Sequence, residues 1–126
     1  TEIQHRYLDQ LSGGQSQRAY IGMVVAQNTE YILLDEPLNN LDIKHSVEIM
    51  KILRNLVDKS GKTVIIVIHD INFASCYSDH IVAIKNGKLV KKDTIPKVIN
   101  KEVLEDIYEM KFDIQDINSR KICVYF

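Results

Sequence analysis

The segment YILLDEP, Tyr31–Pro37, sets four apolar side chains directly before two carboxylates and a proline. An unbroken apolar run of strand length reads as a buried strand of a parallel sheet, because such strands are covered on both faces and lose the polar alternation. Pro37 ends the run, since it has no N–H to give to a ladder. Asp35 and Glu36 then stand at the carboxyl end of the strand, where open α/β sheets bind their ligands. One of the pair can hold Mg²⁺ through its water shell and the other can orient an attacking water. A solvated acidic strand end ahead of a proline turn accounts for the pair equally well when nothing else is considered.

Downstream, a polar loop, Asn39-Asn40-Leu41-Asp42, leads to Ser46–Lys59, where Val47, Met50, Leu53 and Val57 recur at helical spacing, flanked by Ile49, Ile52 and Leu56. That pattern predicts a core-facing amphipathic helix, with Gly61 as its stop. Thr63–Ile68 is β-branched with little alternation and predicts a second buried strand. Strand, helix and strand in this order predict an α/β layer with a parallel sheet. His69 closes the second strand. It could hydrogen-bond a phosphate, although a lone histidine at a strand end is more often structural. His5, His45 and His80 form no zinc-type spacing with it.

Upstream lies LSGGQSQR, Leu11–Arg18, with Ser12 and Gln15 at capping-box spacing. Ala19, Met23 and Ala26 continue at helical spacing to about Asn28. A serine and two glycines before a helix can cradle an anion: the first N–H groups lack partners, the macrodipole adds positive charge, and glycine permits close approach. Taken alone, Ser12-Gly13-Gly14 fits a flexible, well-capped turn better.

The C-terminal part predicts a short helix capped by Asp70 and running through Cys76. A hairpin follows, Ile81–Ile84 with Leu89–Val90 around Asn86-Gly87, a pair suited to a type I′ turn. Pro96–Met110 reads as helix in two pieces. Phe112–Ile117 and Lys121–Phe126 read as a terminal hairpin around Asn118-Ser119.

The motif SGKT, Ser60–Thr63, resembles the end of a phosphate-binding P-loop, but the first glycine of G-x-x-x-x-G-K-[ST] would fall on Leu56. The context is also reversed, since a P-loop follows a strand and opens a helix. Composition adds bounds. The chain has 126 residues, 45% hydrophobic and 26% charged, with a net charge of −1. One compact domain with a real core is expected, of a composition ordinary for a soluble globular protein, and the charge balance does not suggest a nucleic-acid partner. Cys76 and Cys123 lack metal-type spacing and read as reduced thiols of a cytosolic protein. No apolar run reaches the ~20 residues of a membrane span.

Together these motifs resemble the ATP-binding-cassette (ABC) ATPases. Leu11-Ser-Gly-Gly-Gln15 resembles the family signature, and Tyr31-Ile-Leu-Leu-Asp-Glu36 the Walker B strand with its catalytic glutamate. Asn39-Asn-Leu-Asp42 stands where the D-loop belongs, and His69 matches the switch histidine. The order and spacing of these four motifs carry the resemblance, which covers essentially the whole chain. Within the family, EPLNNLDIKHSVEIM and HDINFASCYSDHIVAIKNG are most similar to importers of iron–siderophore chelates.

The resemblance implies a fold, roles and partners. The fold would be α/β, part of a RecA-like P-loop NTPase layer with parallel core strands, the tail of the helical subdomain and C-terminal hairpins. Residues 1–30 would end the helical subdomain, 31–92 would be RecA-like core, and 93–126 the C-terminal helices and hairpin. Asp35 would hold Mg²⁺, Glu36 would be general base, and His69 would contact the γ-phosphate of ATP. Ser12, Gly13, Gly14 and Gln15 would close over ATP held by a second ATPase subunit, head to tail, with Asp42 at the seam. Permease subunits would be direct partners and a substrate-binding protein an indirect one. The location would be cytoplasmic, on the inner face of the cell membrane through the permease.

There are departures. Gly22-Met23-Val24-Val25 replaces the common Ala-Arg-Ala-Leu, and Leu38 and Asn39 replace Thr and Ser before the D-loop. The family's adenine-stacking aromatic, P-loop and glutamine loop all precede the signature, so the expectation is a C-terminal half that does not hydrolyse ATP alone. A soluble non-transport ABC ATPase and a non-enzymatic dimerisation fragment are the alternatives.

Overall fold

The computed structural model describes residues 13–125. The chain divides into two compact units, one ending at His69 and one starting at Asp70.

The first unit runs α1 (Gly13–Ala26), β1 (Tyr31–Asp35), α2 (Ile43–Ser60) and β2 (Thr63–Val67). β1 and β2 pair in parallel, with Tyr31 opposite Thr63 and Asp35 opposite Val67. The strands' entry is pinned twice: Thr63 N–H donates to Glu30 O at 3.0 Å, and Lys62 Nζ donates to Asn28 Oδ1 at 2.8 Å. Between the strands, α2 is capped at both ends. Asp42 accepts from His45 N–H. Gly61 takes φ +61°, the left-handed conformation that only glycine enters without cost, and returns its N–H to Leu56 O.

Three expectations for this unit shift. The helix at 46–59 starts earlier, at Ile43, because Asp42 is its cap and not a loop residue. Its buried face is Ser46, Ile49, Met50 and Leu53, while Ile52 is exposed. In α1 the buried residue is Ile21, and Met23 lies exposed, so the helical period holds with the face rotated. The strands are buried on one face only: Ile32 and Leu34 are 3% and 5% exposed, Tyr31 and Leu33 57% and 70%. Ile65 and Val67 of β2 are exposed likewise. A continuous apolar strand tells that both faces suit a nonpolar cover. It does not tell which elements supply that cover.

The second unit runs α3 (Ile71–Tyr77), β3 (His80–Lys85), β4 (Lys88–Thr94), α4 (Ile95–Val98), α5 (Lys101–Tyr108), β5 (Asp113–Ile117) and β6 (Arg120–Val124). Asp70 caps α3 as expected, accepting from the N–H groups of Asn72 and Phe73. β3 and β4 form an antiparallel hairpin, turned by Asn86 and Gly87, both at positive φ, which a type I′ turn requires. The helical stretch after Pro96 does break in two, at Ile99 and Asn100. β5 and β6 pair antiparallel around Asn118 and Ser119, again both at positive φ.

Ile99, Leu104, Phe112 and Cys123 form this unit's core, with Ile71, Ile81, Ile95 and Ile114 packed against it. Asn72 fixes α3 to β6 by imitating a strand: its Nδ2 donates to Cys123 O at 3.1 Å and its Oδ1 accepts from Cys123 N–H at 2.7 Å. Burial pushes the Cys123 thiol up to about 11, so it stays protonated near neutrality. Among the described residues, no helix is long and apolar enough to cross a membrane.

Candidate functional site

The parallel register builds the site. Asp35 is the last residue of β1, opposite Val67, the last of β2. The ladder reaches one residue further, as Glu36 N–H donates to Val67 O at 3.0 Å. His69 follows Val67 by two residues, and its Nε2 meets Glu36 Oε1. A slip of one residue in pairing would part them.

Glu36 leaves the strand at φ +46°, in the left-handed region that non-glycine residues enter at a cost. The carboxylates of Asp35 and Glu36 are therefore divided by a backbone turn, and not by the alternation of a continuing strand. Asn39 N–H closes the turn on Glu36 O at 3.1 Å, and the Asn39 side-chain amide donates to Glu36 Oε2. Each oxygen of Glu36 thus has its own partner. The Glu36 side chain is 35% exposed and that of His69 76%, so the pair lies open to a ligand. Asp35 is exposed at the same strand end.

A second element is the start of α2. Asp42 accepts from His45 N–H at 2.9 Å and from His45 Nδ1–H at 2.7 Å. These bonds, the backbone one foremost, hold the Asp42 carboxyl below its ordinary value. The third element is the start of α1. Gly13, Gly14 and Gln15 form its first turn, as expected, while Ser12 lies outside the described residues.

The sequence reading did not find two partners. Asn39 stands three residues after Glu36, the span of a β-turn, and His45 three after Asp42, the span from an N-cap to the third helical residue. Either spacing could have signalled the contact. Among the described residues no cluster of three His, Cys, Asp or Glu side chains could enclose a metal. A magnesium ion fits the single carboxylate of Asp35 nonetheless. Mg²⁺ keeps several waters and is commonly held by one or two carboxylates together with substrate phosphates.

The family model described as "ABC transporter" matches residues 1–39. The Bacillus subtilis (strain 168) protein named petrobactin import ATP-binding protein YclP is 64% identical over 125 residues. That match spans 99% of this chain and 50% of the relative. The chain is similar to the ATP-binding proteins of ABC transporters. It spans about half the length of the curated relatives it matches.

Two solved structures extend the comparison. A transporter described as of the metal-chelate ABC type, in an inward-facing conformation, superposes with a TM-score of 0.86 over all of this chain and 51% of its own. At 21% identity it shows the fold. The ATP-binding cassette MJ0796, solved as a dimer in a post-hydrolysis state with ADP and Pi, is 40% identical, with a TM-score of 0.63 over 69% of this chain and 37% of its own. The architecture is accordingly that of an ABC ATPase, α/β with a parallel strand pair and hairpins.

Proposed function

We propose that this chain is part of the ATP-hydrolysing subunit of an ABC importer that takes up iron–siderophore chelates. The observation that carries the reading is the Glu36 carboxylate, set at the end of a parallel strand between His69 and Asn39. A carboxylate so fixed can orient a water and accept its proton as the water attacks a γ-phosphate. Asp35 would hold Mg²⁺, which would offset phosphate charge. His69, on Glu36's other side, faces the same γ-phosphate and carries it in register with the water. Phosphoryl transfer asks little covalent chemistry of a protein, so positioning and electrostatics are the contributions to expect.

The remaining site residues act across a dimer. Ser12, Gly13, Gly14 and Gln15 close over the nucleotide of a second ATPase subunit, and Asp42 stands at the seam between them. The dimeric MJ0796 cassette supports an assembly of two subunits. The name of the 64% identical relative, a petrobactin import ATP-binding protein, supports import as the process served; permease subunits at the cytoplasmic face of the membrane are the partners such a role calls for. The 126 residues contain no complete P-loop, so by themselves they neither hold ATP tightly nor turn it over.

The test is phosphate release from ATP by the full-length protein that contains this chain. Turnover is expected, with Glu36→Gln binding ATP but releasing phosphate at least about a hundredfold more slowly. Turnover unaffected by Glu36→Gln would overturn the assignment.

A further inference from the structure

The glycine pair and Asp42 are far apart in sequence, yet one side chain touches both. His45 binds Asp42 through its backbone N–H and through Nδ1–H. The same ring lies on the first turn of α1: a Cβ on Gly14 would stand 3.2 Å from both Cγ and Cδ2 of His45 and 3.5 Å from its Nδ1. That is closer than side-chain carbons ordinarily approach, so Gly14 is small where the imidazole needs room. One turn along both helices the contact repeats in another form, as Arg18 Nη1 pairs with Glu48 Oε2 at 2.9 Å. Gly14 to Arg18 is a step of four and His45 to Glu48 a step of three, so each pair shares a helix face. The exposed ion pair adds little energy. It marks where the seam between α1 and α2 runs.

We propose that His45 is a positioning residue that joins the glycine turn of α1 to Asp42, so that both meet a partner subunit's nucleotide as one unit. The inference rests on the reading that these two elements face ATP across a dimer. His45 itself touches no substrate. Its ring spaces α1 from the cap of α2, and its Nδ1–H fixes the rotamer of the Asp42 carboxylate. Since ring and hydrogen bond belong to one side chain, the helix start cannot move without disturbing Asp42. Asparagine places Nδ2 as many bonds from Cα as Nδ1 of histidine, and Oδ1 where Cδ2 lies, so it conserves both contacts in part.

The experiment uses the full-length protein, with ATP turnover and ATP-driven association followed by sedimentation. His45→Ala is expected to lower kcat and weaken ATP-driven association, each by about tenfold, and His45→Asn to restore most of the loss. Gly14→Ala should cost more with the ring in place than in the His45→Ala background, a departure from additivity of about threefold or more. The inference is overturned if His45→Ala matches wild type, if asparagine restores no more than alanine, or if the Gly14 and His45 effects simply multiply. A wild-type protein without ATP-driven turnover would instead overturn the proposed function on which it rests.

Discussion

Glu36 and His69 are 33 residues apart and meet through Oε1 and Nε2 at the ends of adjacent parallel strands. Their meeting depends on register, because Glu36 N–H continues the ladder onto Val67 O. Removing either side chain should leave the sheet intact while disabling the chemistry. His69→Ala in the full-length protein is expected to slow phosphate release by about ten- to a hundredfold while the melting temperature stays close to wild type. A variant that melts early in proportion to its loss of turnover would assign His69 to structure.

Asp42 gives the first unit an acid sensitivity with a definite sign. Its folded carboxyl value is lowered by the His45 bonds. The stability it contributes is therefore present above the ordinary carboxylate value, near about pH 4, and is lost as pH falls through the lowered folded value. Asp42→Asn keeps a capping oxygen but does not titrate in this range. The difference in melting temperature between wild type and this variant should shrink as pH is taken from about 6 toward 2. A constant difference would remove Asp42 from the account.

Leu104 tests the second unit separately. It is 1% exposed within the cluster of Ile99, Phe112 and Cys123. Leu104→Ala should cost about 2–5 kcal/mol, the transfer of the lost methyl groups plus the cavity they leave. Denaturant unfolding of the full-length protein would measure it, and a cost well under 1 kcal/mol would mean the cluster collapses around the gap.

The open face of the β1–β2 pair makes a different prediction. Tyr31, Leu33, Ile65 and Val67 are all more than half exposed, although parallel strands are ordinarily covered on both sides. These 126 residues expressed by themselves should bind a hydrophobic dye and self-associate, and Leu33→Thr with Ile65→Thr should reduce both effects. A monodisperse chain that ignores the dye would argue against the exposure of this face.

Much of this was legible in the residues, for local reasons. Asn86-Gly87 and Asn118-Ser119 announce their turns because few residues enter positive φ cheaply. Asp70 announces a helix start and Gly61 a helix end. The start of α2 was hidden because Ile43, an exposed apolar residue at 80%, breaks the polar–apolar period where the helix opens. Of the site, the carboxylates and His69 were visible as residue types at strand ends. Asn39 and His45 were not, because their roles come from a turn and a cap whose geometry a linear pattern leaves implicit. One-sided burial of the strands was beyond reach for a further reason: covering a face is a property of neighbours, not of the strand.

The left-handed backbone at Glu36 has a consequence for how this protein can change. Asparagine adopts that conformation at lower cost than glutamate. Substituting it there would ease a penalty on the order of 1 kcal/mol, at the expense of a carboxylate oxygen within reach of His69. Under the role proposed for Glu36, durability and turnover therefore pull this one position in opposite directions: full-length Glu36→Asn should melt no earlier than wild type while losing phosphate release.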